Sequence, residues 1–383
     1  MRFSFATAGQ ILFGAGTLAE AAEAAPRLGR RALLVTGRHP ERAAALTRQL
    51  ETRGITWQSF SVSAEPAVEQ AVDGAALARE TGCELVIGFG GGSALDAAKA
   101  IAALATNREP VETYLEVIGA GRPLLQPPLP AIAIPTTAGT GSEVTRNAVL
   151  KSRSHRVKVS LRGPEMLPDL AIVDPELTLS LPPAVTAATG CDALTQLLEA
   201  FVSAKANPLT DGLCREGLSR AARALPKVVA HGDDLAARTD MALASLFSGM
   251  ALANAGLGAV HGIAGPLGGM IGAPHGALCA RLLPFVVEAN LAALVRRKAG
   301  DVTVARYTEA ARMMVSSRAT TVELVAWLHD LVARLEIPVL SAWGLTRAEL
   351  PDLVLKAKAA SSMKGNPVQL SDDELADILN RAL

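Results

Sequence analysis

The 383-residue sequence is poor in aromatic side chains, in charge and in cysteine. Aromatic residues make up 3 % of the chain, so no stacking platform for a ring or a sugar is visible. Lysine plus arginine equals aspartate plus glutamate, 37 against 37, which excludes a global field that would favour nucleic acid or an anionic membrane. The four widely separated cysteines show neither CxxC spacing nor the density of a secreted disulfide framework, so a reducing compartment is expected.

Long apolar runs are also missing. No window approaches 18 uninterrupted apolar residues, and the apolar run near the N-terminus is interrupted by Gly9, Gln10 and Gly14. The sequence therefore predicts neither a membrane span nor a signal peptide, and we expect a cytoplasmic protein without a membrane or nucleic-acid partner. Half of the residues are hydrophobic (50 %), which is ample for a large core in two or three domains.

The first half of the chain alternates short apolar or β-branched runs, such as RALLVTG, with alanine-rich helical stretches. This alternation indicates a parallel sheet that is covered by helices on both faces. Strand signals stop near Pro182, and the remaining chain has a helical pattern rich in alanine and leucine. The prolines Pro175, Pro182 and Pro183 predict a boundary near residue 180. The expected domains are an α/β domain over 1–180 and an all-helical domain over 181–383.

ELVIGFGGGSALDAAKA predicts a buried strand, a glycine cluster and a helix. Ser93 and Asp96 have the spacing of a capping box, so we expect the glycines to lead directly onto the N-terminus of a helix. Unpaired N–H groups and the helix dipole favour a phosphate at such a position, and glycines let it approach the backbone. A tight turn without a ligand is the alternative.

AIAIPTTAGTGSEVT is a second turn of this kind. It carries hydroxyl donors at Thr136, Thr137, Thr140 and Ser142 after a buried strand. Open α/β sheets bind their ligands beyond the carboxyl ends of the strands. Together the two turns predict a dinucleotide or another phosphate ligand.

Two histidines, His261 and His275, lie in an apolar, glycine-rich part of the helical half. Pro274 predicts that His275 begins a new helix. Farther upstream, Asp192 and Gln196 are four residues apart in a predicted helix and therefore share a face. Each histidine taken alone also fits a hydrogen-bonded core residue.

With these residues in view, the chain resembles the iron-containing (group III) alcohol dehydrogenases of the dehydroquinate synthase-like superfamily over nearly its whole length. The resemblance is carried, in order, by GGGSALDAAKA, IPTTAGTGSEVT, DPELTLSLPP, GCDAL followed by EAFVS, and HGIAGPLGGMIGAPHG. It implies a Rossmann-like N-terminal domain, an all-α C-terminal domain and an active site in the cleft between them. It also implies small alcohols, aldehydes or ketones as substrates, and a homodimer or larger assembly.

The resemblance further implies NAD or NADP as the cofactor. Many members that use NAD have an aspartate where this chain has Gly37, and that carboxylate would repel a 2′-phosphate. Because Arg38, His39 and Arg42 stand nearby instead, we expect NADP to be accepted, with a slight preference for it. The cofactor-binding residues implied by the resemblance are Gly37, Arg38, Gly91, Gly92, Ser93, Asp96, Thr136, Thr137, Thr140, Ser142 and Lys158.

The same resemblance implies a divalent metal, Fe²⁺ or Zn²⁺, bound by Asp192, Gln196, His261 and His275. Metal-dependent members have histidine at the position of Gln196, and a carboxamide oxygen is a weaker ligand than imidazole for such metals. Many alcohol-forming members have a further histidine where this chain has Gly265. Both departures bear on whether the metal is retained.

We expect reversible hydride transfer between the nicotinamide C4 and a carbonyl carbon, with the metal as Lewis acid. His261 and His275 are the expected catalytic residues, and without metal they would act as hydrogen-bond donors or as a general acid. Three alternatives remain open at this point: a metal-independent reductase similar to maleylacetate reductases, a lyase of the dehydroquinate synthase type, and a nucleotide-binding relative that has lost catalysis.

Overall fold

The computed structural model describes residues 2–155, 157–298 and 301–383. They form two compact units, of which the first spans Thr7–Leu179 and the second spans Ser180–Leu383 together with the residues before Thr7. Asn254 holds that N-terminal segment in the second unit, because its side chain accepts from the Ala6 N–H (2.8 Å) and donates to the Ala6 carbonyl (2.9 Å). The first few residues thus belong with the helical unit and not with the α/β unit.

The first unit is built on parallel strands. Its strands are β1 (Gln10–Phe13), β2 (Arg31–Thr36), β3 (Thr56–Ser61), β4 (Leu85–Gly90), β5 (Ala131–Pro135), β6 (Asn147–Ser152), β7 (Val157–Arg162) and β8 (Leu170–Val173). Its helices are α1 (Ala19–Leu28), α2 (Ala44–Thr52), α3 (Val68–Glu80) and α4 (Gly92–Thr106). Among the described residues, six of the strands pair in the order β1-β8-β5-β4-β2-β3, all parallel, and β6 with β7 makes a separate antiparallel pair.

Helices cover both faces of this sheet, as the alternating pattern predicts. Leu34 of β2 packs with α1 and α2 in one core cluster, whereas its neighbours Leu33 and Val35 pack with α3 and α4 in another. A strand buried on both faces has no polar alternation, which is why β2, β4 and β5 are almost continuously apolar. The predicted α/β class of this part of the chain is confirmed.

From Ser180 onward, the regular secondary structure of the second unit's described residues is entirely helical. Its helices are α5 (Pro183–Val202), α6 (Pro208–Ala230), α7 (Leu235–Ala255), α8 (Ala259–Ile271), α9 (His275–Arg296), α10 (Asp301–Met314), α11 (Thr321–Arg334), α12 (Leu350–Ala359) and α13 (Asp372–Ala382). Helix α5 is the central one: it packs against α6, α7 and α9, and every residue from Gly190 to Val202 is buried. Any polar side chain on that part of α5 must therefore find its partner inside the protein.

Helix α9 is long and apolar enough to cross a membrane by composition, with a mean hydropathy of 1.7 in its most apolar window. However, 67 % of that window is buried inside the protein, against α5, α8, α11 and α13. Its apolar character is therefore explained by its place in the core. The break between α7 and α8 is a bend of 100°, made at Gly256, whose φ of 70° is not helical.

Candidate functional site

Three buried polar residues occupy one face of α5: Asp192, Gln196 and Glu199. Their spacing of four and then three residues puts them above one another on a helix. The predicted shared face of Asp192 and Gln196 is present, and the Gln196 Nε2 donates to Asp192 Oδ2 at 3.2 Å. This face of α5 lines one side of the site.

The first turn of α9 carries two further polar side chains of the site, His275 and Cys279. As predicted from Pro274, His275 is the first residue of a new helix. A Cβ at the following residue, Gly276, would lie 2.1 Å from the carbonyl oxygen of Ala188 on α5, so only glycine lets α9 begin this close to α5. One helical turn later, Cys279 lies on the same face as His275.

His261, from α8, completes a cluster of four donor atoms. Its Nε2 lies 3.3 Å from Asp192 Oδ1 and 3.7 Å from Cys279 Sγ. The Nε2 of His275 lies 3.8 Å from the same carboxylate oxygen and 3.7 Å from the same sulfur. Asp192, His261, His275 and Cys279 thus offer one ligand atom each within 4.8 Å of one another, and we call them the donor cluster.

The donor cluster has the electrostatics of a cation site. Asp192 Oδ1 is buried and accepts no hydrogen bond from any described residue. Burial by itself would raise the pKa of Asp192, but His261 and His275 hold it below its usual value. Burial likewise opposes charging of His261, yet Cys279, Glu199 and Asp192 together keep the pKa of this ring well above its ordinary value. The surroundings of Asp192 Oδ1 therefore favour a positive charge.

Glu199 orients His261. Its Oε2 accepts from His261 Nδ1 at 2.6 Å, and its Oε1 accepts from the backbone N–H of Val260 at 2.7 Å. With Nδ1 as the donor to Glu199, the neutral ring presents the lone pair of Nε2 to Asp192 and Cys279. A carboxylate behind a ligating histidine is the usual second partner in metal sites. Glu199 was not predicted from the sequence, although its position seven residues after Asp192 on an apolar helix was a usable signal.

Gln196 is placed differently from the sequence prediction. Its Oε1, the atom that could bind a metal, lies 2.7 Å from Ser248 Oγ and accepts its hydroxyl hydrogen bond, while its Nε2 serves Asp192. The carboxamide thus holds Asp192 in place from outside the donor cluster. Cys279, which lies inside it, was not predicted, because CxxC spacing does not reveal a cysteine that shares a helix face with a histidine four residues earlier.

The glycines of the first unit also have a defined setting. Helix α4 begins at Gly92 with Gly91 as its N-cap, and Gly91 has no side chain to act as a cap. A Cβ at Gly92 would lie 2.7 Å from Thr140 Cγ2, and one at Gly91 would lie 3.3 Å from Thr137. The two predicted turns are therefore packed against each other, and the glycines make this close approach possible.

The predicted capping box at Ser93 and Asp96 is wrong. Ser93 is already inside α4, and the Asp96 carboxylate accepts from Ser142 Oγ (2.5 Å) and from the backbone N–H of Val149 (3.0 Å). Lys99 lies 3.1 Å from the same carboxylate. Asp96 thus ties α4 to the second turn and to β6, because a residue four positions inside the helix start points away from the free N–H groups.

The remaining predicted cofactor residues lie at two places in the first unit. Gly37 follows β2, and its N atom would be 3.4 Å from a Cβ at Gly90, the last residue of β4. The connection after β2 runs to β3 and the connection after β4 runs to β5, on opposite sides of this point of the sheet, and ligands bind at such switch points. Arg38 follows Gly37 directly, and Thr136 donates its N–H to the Gly90 carbonyl at 2.9 Å.

Two basic side chains near Gly37, Arg42 and His39, already contact other protein groups, which weakens the argument that they bind the 2′-phosphate of NADP. The Arg42 Nη2 donates to the Leu177 carbonyl at 2.7 Å, and His39 Nδ1 lies 3.0 Å from Glu41 Oε1. Lys158, on β7, is paired with Glu65.

Comparison with known proteins identifies the family. The profile described as "Iron-containing alcohol dehydrogenase" matches residues 8–175, and "Fe-containing alcohol dehydrogenase family, C-terminal" matches residues 186–383. Alcohol dehydrogenase 4 of Saccharomyces cerevisiae (strain YJM789) is 35 % identical over 97 % of this chain and 96 % of its own length.

Other relatives match over part of their length or in three dimensions. The probable alcohol dehydrogenase EutG of Escherichia coli (strain K12) is 45 % identical, and the match spans 64 % of this chain and 62 % of EutG. The crystal structure of sulfoacetaldehyde reductase from Bifidobacterium kashiwanohense in complex with NAD⁺ superposes with a TM-score of 0.89 at 31 % identity, covering 100 % of this chain and 99 % of that one. With both halves of the family profile matched, this chain belongs to the iron-containing alcohol dehydrogenase family.

Proposed function

We propose that this protein is an NAD(P)-dependent alcohol dehydrogenase that interconverts a small alcohol and its aldehyde or ketone, with a divalent metal bound by the donor cluster. The observation that carries the proposal is the buried Oδ1 of Asp192. It faces two imidazole nitrogens and a sulfur, and it accepts no hydrogen bond from the described residues. Family membership supports the redox chemistry.

The residues present fit a divalent metal such as Fe²⁺ or Zn²⁺. Carboxylate, imidazole and thiolate are ligands for these ions, and when bound the metal would polarise the carbonyl group of the substrate as a Lewis acid. Glu199 holds the Nδ1 proton of His261, so that Nε2 stays available as a ligand. Gln196 fixes the rotamer of Asp192 through Oδ2 and leaves Oδ1 to the cluster.

The donor cluster is open on one side. The side chains of Asp192 and His261 are 3 % and 7 % exposed, whereas that of His275 is 32 % exposed. We therefore expect the substrate to approach from the side of His275. A Cβ at Gly265 would meet no described atom within 4 Å, so the substrate has room where related enzymes have a histidine.

The nicotinamide cofactor is assigned to the turns of the first unit. The N-terminus of α4 at Gly92 and the hydroxyl-bearing turn of Thr136 to Thr140 offer N–H and O–H donors for the pyrophosphate. They lie at the carboxyl ends of neighbouring parallel strands, where open sheets bind nucleotides. The NAD⁺ complex of the related sulfoacetaldehyde reductase supports the cofactor class.

The proposal is tested by elemental analysis and turnover. Protein purified without chelator is expected to hold about one divalent metal per chain and to oxidise NADH or NADPH with a panel of aldehydes and ketones. Activity that survives exhaustive chelation would favour the metal-independent reductase instead. Binding of NADPH without turnover across the panel would favour a nucleotide-binding relative, and turnover without net consumption of NAD(P)H would favour a lyase.

The cofactor preference has its own test at Gly37. A Cβ there meets no described atom within 4 Å, so Gly37→Asp can be accommodated. We expect its carboxylate to lower the ratio of kcat/KM for NADPH to that for NADH by about tenfold or more, because it would repel the 2′-phosphate. Gly37→Ala, which adds the Cβ without the charge, is the matched control. Equal ratios in both variants would show that the ribose end of the cofactor lies elsewhere.

A further inference from the structure

We infer that Cys279 is the fourth protein ligand of the metal, at a site where the family resemblance implies a third imidazole and this chain has Gln196. The ligand set is then one carboxylate, two imidazoles and one thiolate: Asp192, His261, His275 and Cys279. The inference rests on the proposed function, because it requires that the donor cluster binds a metal.

The distances fit a four-coordinate ion. Bond lengths of about 2.1 Å to nitrogen or oxygen and about 2.3 Å to sulfur give tetrahedral edges of roughly 3.4 Å between nitrogen and oxygen and 3.6 Å between nitrogen and sulfur. The sulfur of Cys279 lies 3.7 Å from both imidazole nitrogens. Asp192 Oδ1 lies 3.3 Å and 3.8 Å from the same two nitrogens. The two remaining pairs of donor atoms lie within 4.8 Å of each other, so the cluster must contract by at most about 1.4 Å along those edges to make all four bonds.

Gln196 is not free to take that role. Its amide oxygen lies 2.7 Å from Ser248 Oγ, whose single hydrogen is shared with the Ser245 carbonyl at 2.8 Å, and its amide nitrogen donates to Asp192 at 3.2 Å. Turning the oxygen into the cluster would break both hydrogen bonds in a fully buried place, which is costly. The two contacts make Gln196 a positioning residue for Asp192.

The setting of Cys279 is not that of an ordinary core cysteine. Its side chain is fully buried, and its sulfur faces two imidazoles and a carboxylate. A thiol has one weak S–H to donate. The donor atoms of all four side chains face one another at these distances. A metal ion bound by all four groups satisfies every one of them.

A thiolate ligand changes which metal is preferred. Sulfur is a softer ligand than the imidazole it replaces and favours zinc over harder ions, with cobalt as a spectroscopic substitute. We therefore expect this member of an iron-containing family to select Zn²⁺ over Fe²⁺ when the two compete for the metal-free protein.

Cobalt substitution tests the ligand directly. The full-length protein is stripped with chelator, loaded with one equivalent of Co²⁺, and examined for the near-ultraviolet absorption of thiolate-to-cobalt charge transfer. We expect this band in the wild type and in Cys191→Ala, whose buried thiol is next to Asp192 in the chain, but not in Cys279→Ala. Zinc affinity is expected to fall in Cys279→Ala by more than about 100-fold, since even an outer partner of a ligand is worth 10- to 100-fold.

X-ray absorption on zinc-loaded wild type decides the question even if Cys279→Ala does not fold. One sulfur at about 2.3 Å supports the inference, and a shell of only nitrogen and oxygen overturns it. Stoichiometric cobalt without the charge-transfer band also overturns it, while leaving the proposed metal-dependent dehydrogenase intact. Failure of the wild type to bind any divalent metal overturns this inference and the metal part of the proposed function together.

Discussion

Asp96 in the first unit and Asp192 in the second are both acids on largely buried helices, and the sequence predicts ligand binding for both. In the structure they differ in what surrounds them. Asp96 accepts from a hydroxyl and from a backbone N–H and has Lys99 beside it. Asp192 has one oxygen served by Gln196, whereas the other accepts no hydrogen bond from the described residues and faces two imidazoles.

The difference is the one expected between a structural acid and a ligand-binding acid. A buried carboxylate whose acceptors are all used stabilises the fold. A buried carboxylate with an unused oxygen costs free energy unless a ligand or a proton completes it, and functional sites keep such groups. Whether both carboxylate oxygens accept hydrogen bonds therefore says more about the role of a buried acid than its presence in the sequence does.

Asp192→Asn should have the largest effect on metal binding and activity. The amide keeps the size of the side chain but removes the anionic ligand, so we expect no stoichiometric metal and a loss of activity of roughly 10³-fold or more. Metal content and steady-state kinetics on the same preparation measure both effects. If the variant binds metal and turns over like the wild type, Asp192 is only a residue of the helix face and the comparison fails.

The sequence predicts most of the donor cluster but not all of its members. Asp192, His261 and His275 come from three helices, and the family motifs around them are sufficient to predict that they meet. Cys279 and Glu199 were missed because their roles depend on contacts between α5, α8 and α9 that no short motif contains. Gln196 lies beside Asp192, and a sequence cannot show that its oxygen also contacts Ser248 of α7.

Glu199→Gln tests whether the carboxylate that orients His261 contributes to metal affinity. The amide keeps a carbonyl oxygen for the Val260 N–H but replaces the charged acceptor of His261 Nδ1. We expect metal affinity to fall by about 10- to 100-fold, as for other partners of ligating histidines. Titration against a competing chelator measures this. Glu216→Gln, which alters an exposed acid of α6, is the control and should leave the affinity unchanged.

The fold was predicted best where a strand is buried on both faces. Strands β2, β4 and β5 have continuous apolar runs that single them out. Strand β1 was missed because it is only four residues long and lies at the edge of the sheet. The pair β6 and β7 was missed too, since its strands mix polar and apolar residues and their pairing depends on a turn that no motif marks.

Asp96→Asn tests the other half of the comparison. If Asp96 is structural, the variant should keep its metal and its metal affinity but lose about 3 kcal/mol of folding free energy, because buried Lys99 loses its ion pair with Asp96 and keeps only Glu143 as a charge partner. Urea unfolding and metal analysis give the two quantities. A normal stability combined with a weakened cofactor affinity would return Asp96 to the cofactor-binding role that the sequence predicted.

Glu143 is a third buried acid, to be compared with Asp96 and Asp192, and we expect it to have the smallest effect, which is on stability as a function of pH. It is buried near Lys99, and burial raises its pKa to about 7, against the opposing influence of a backbone hydrogen bond and of Lys99. The folded protein therefore keeps the Glu143 proton at pH values where the unfolded chain, with an ordinary pKa near 4.5, has lost it. By linkage, the free energy of unfolding falls as the pH rises through this window, by up to about 3 kcal/mol, and levels off above pH 7.

Glu143→Gln resembles the protonated acid at every pH. We expect wild type and variant to be equally stable near pH 4.5 and the variant to be more stable at pH 8, as measured by urea unfolding. Equal stabilities at both pH values would show that the Glu143 carboxylate is as well served in its buried position as Asp96 is.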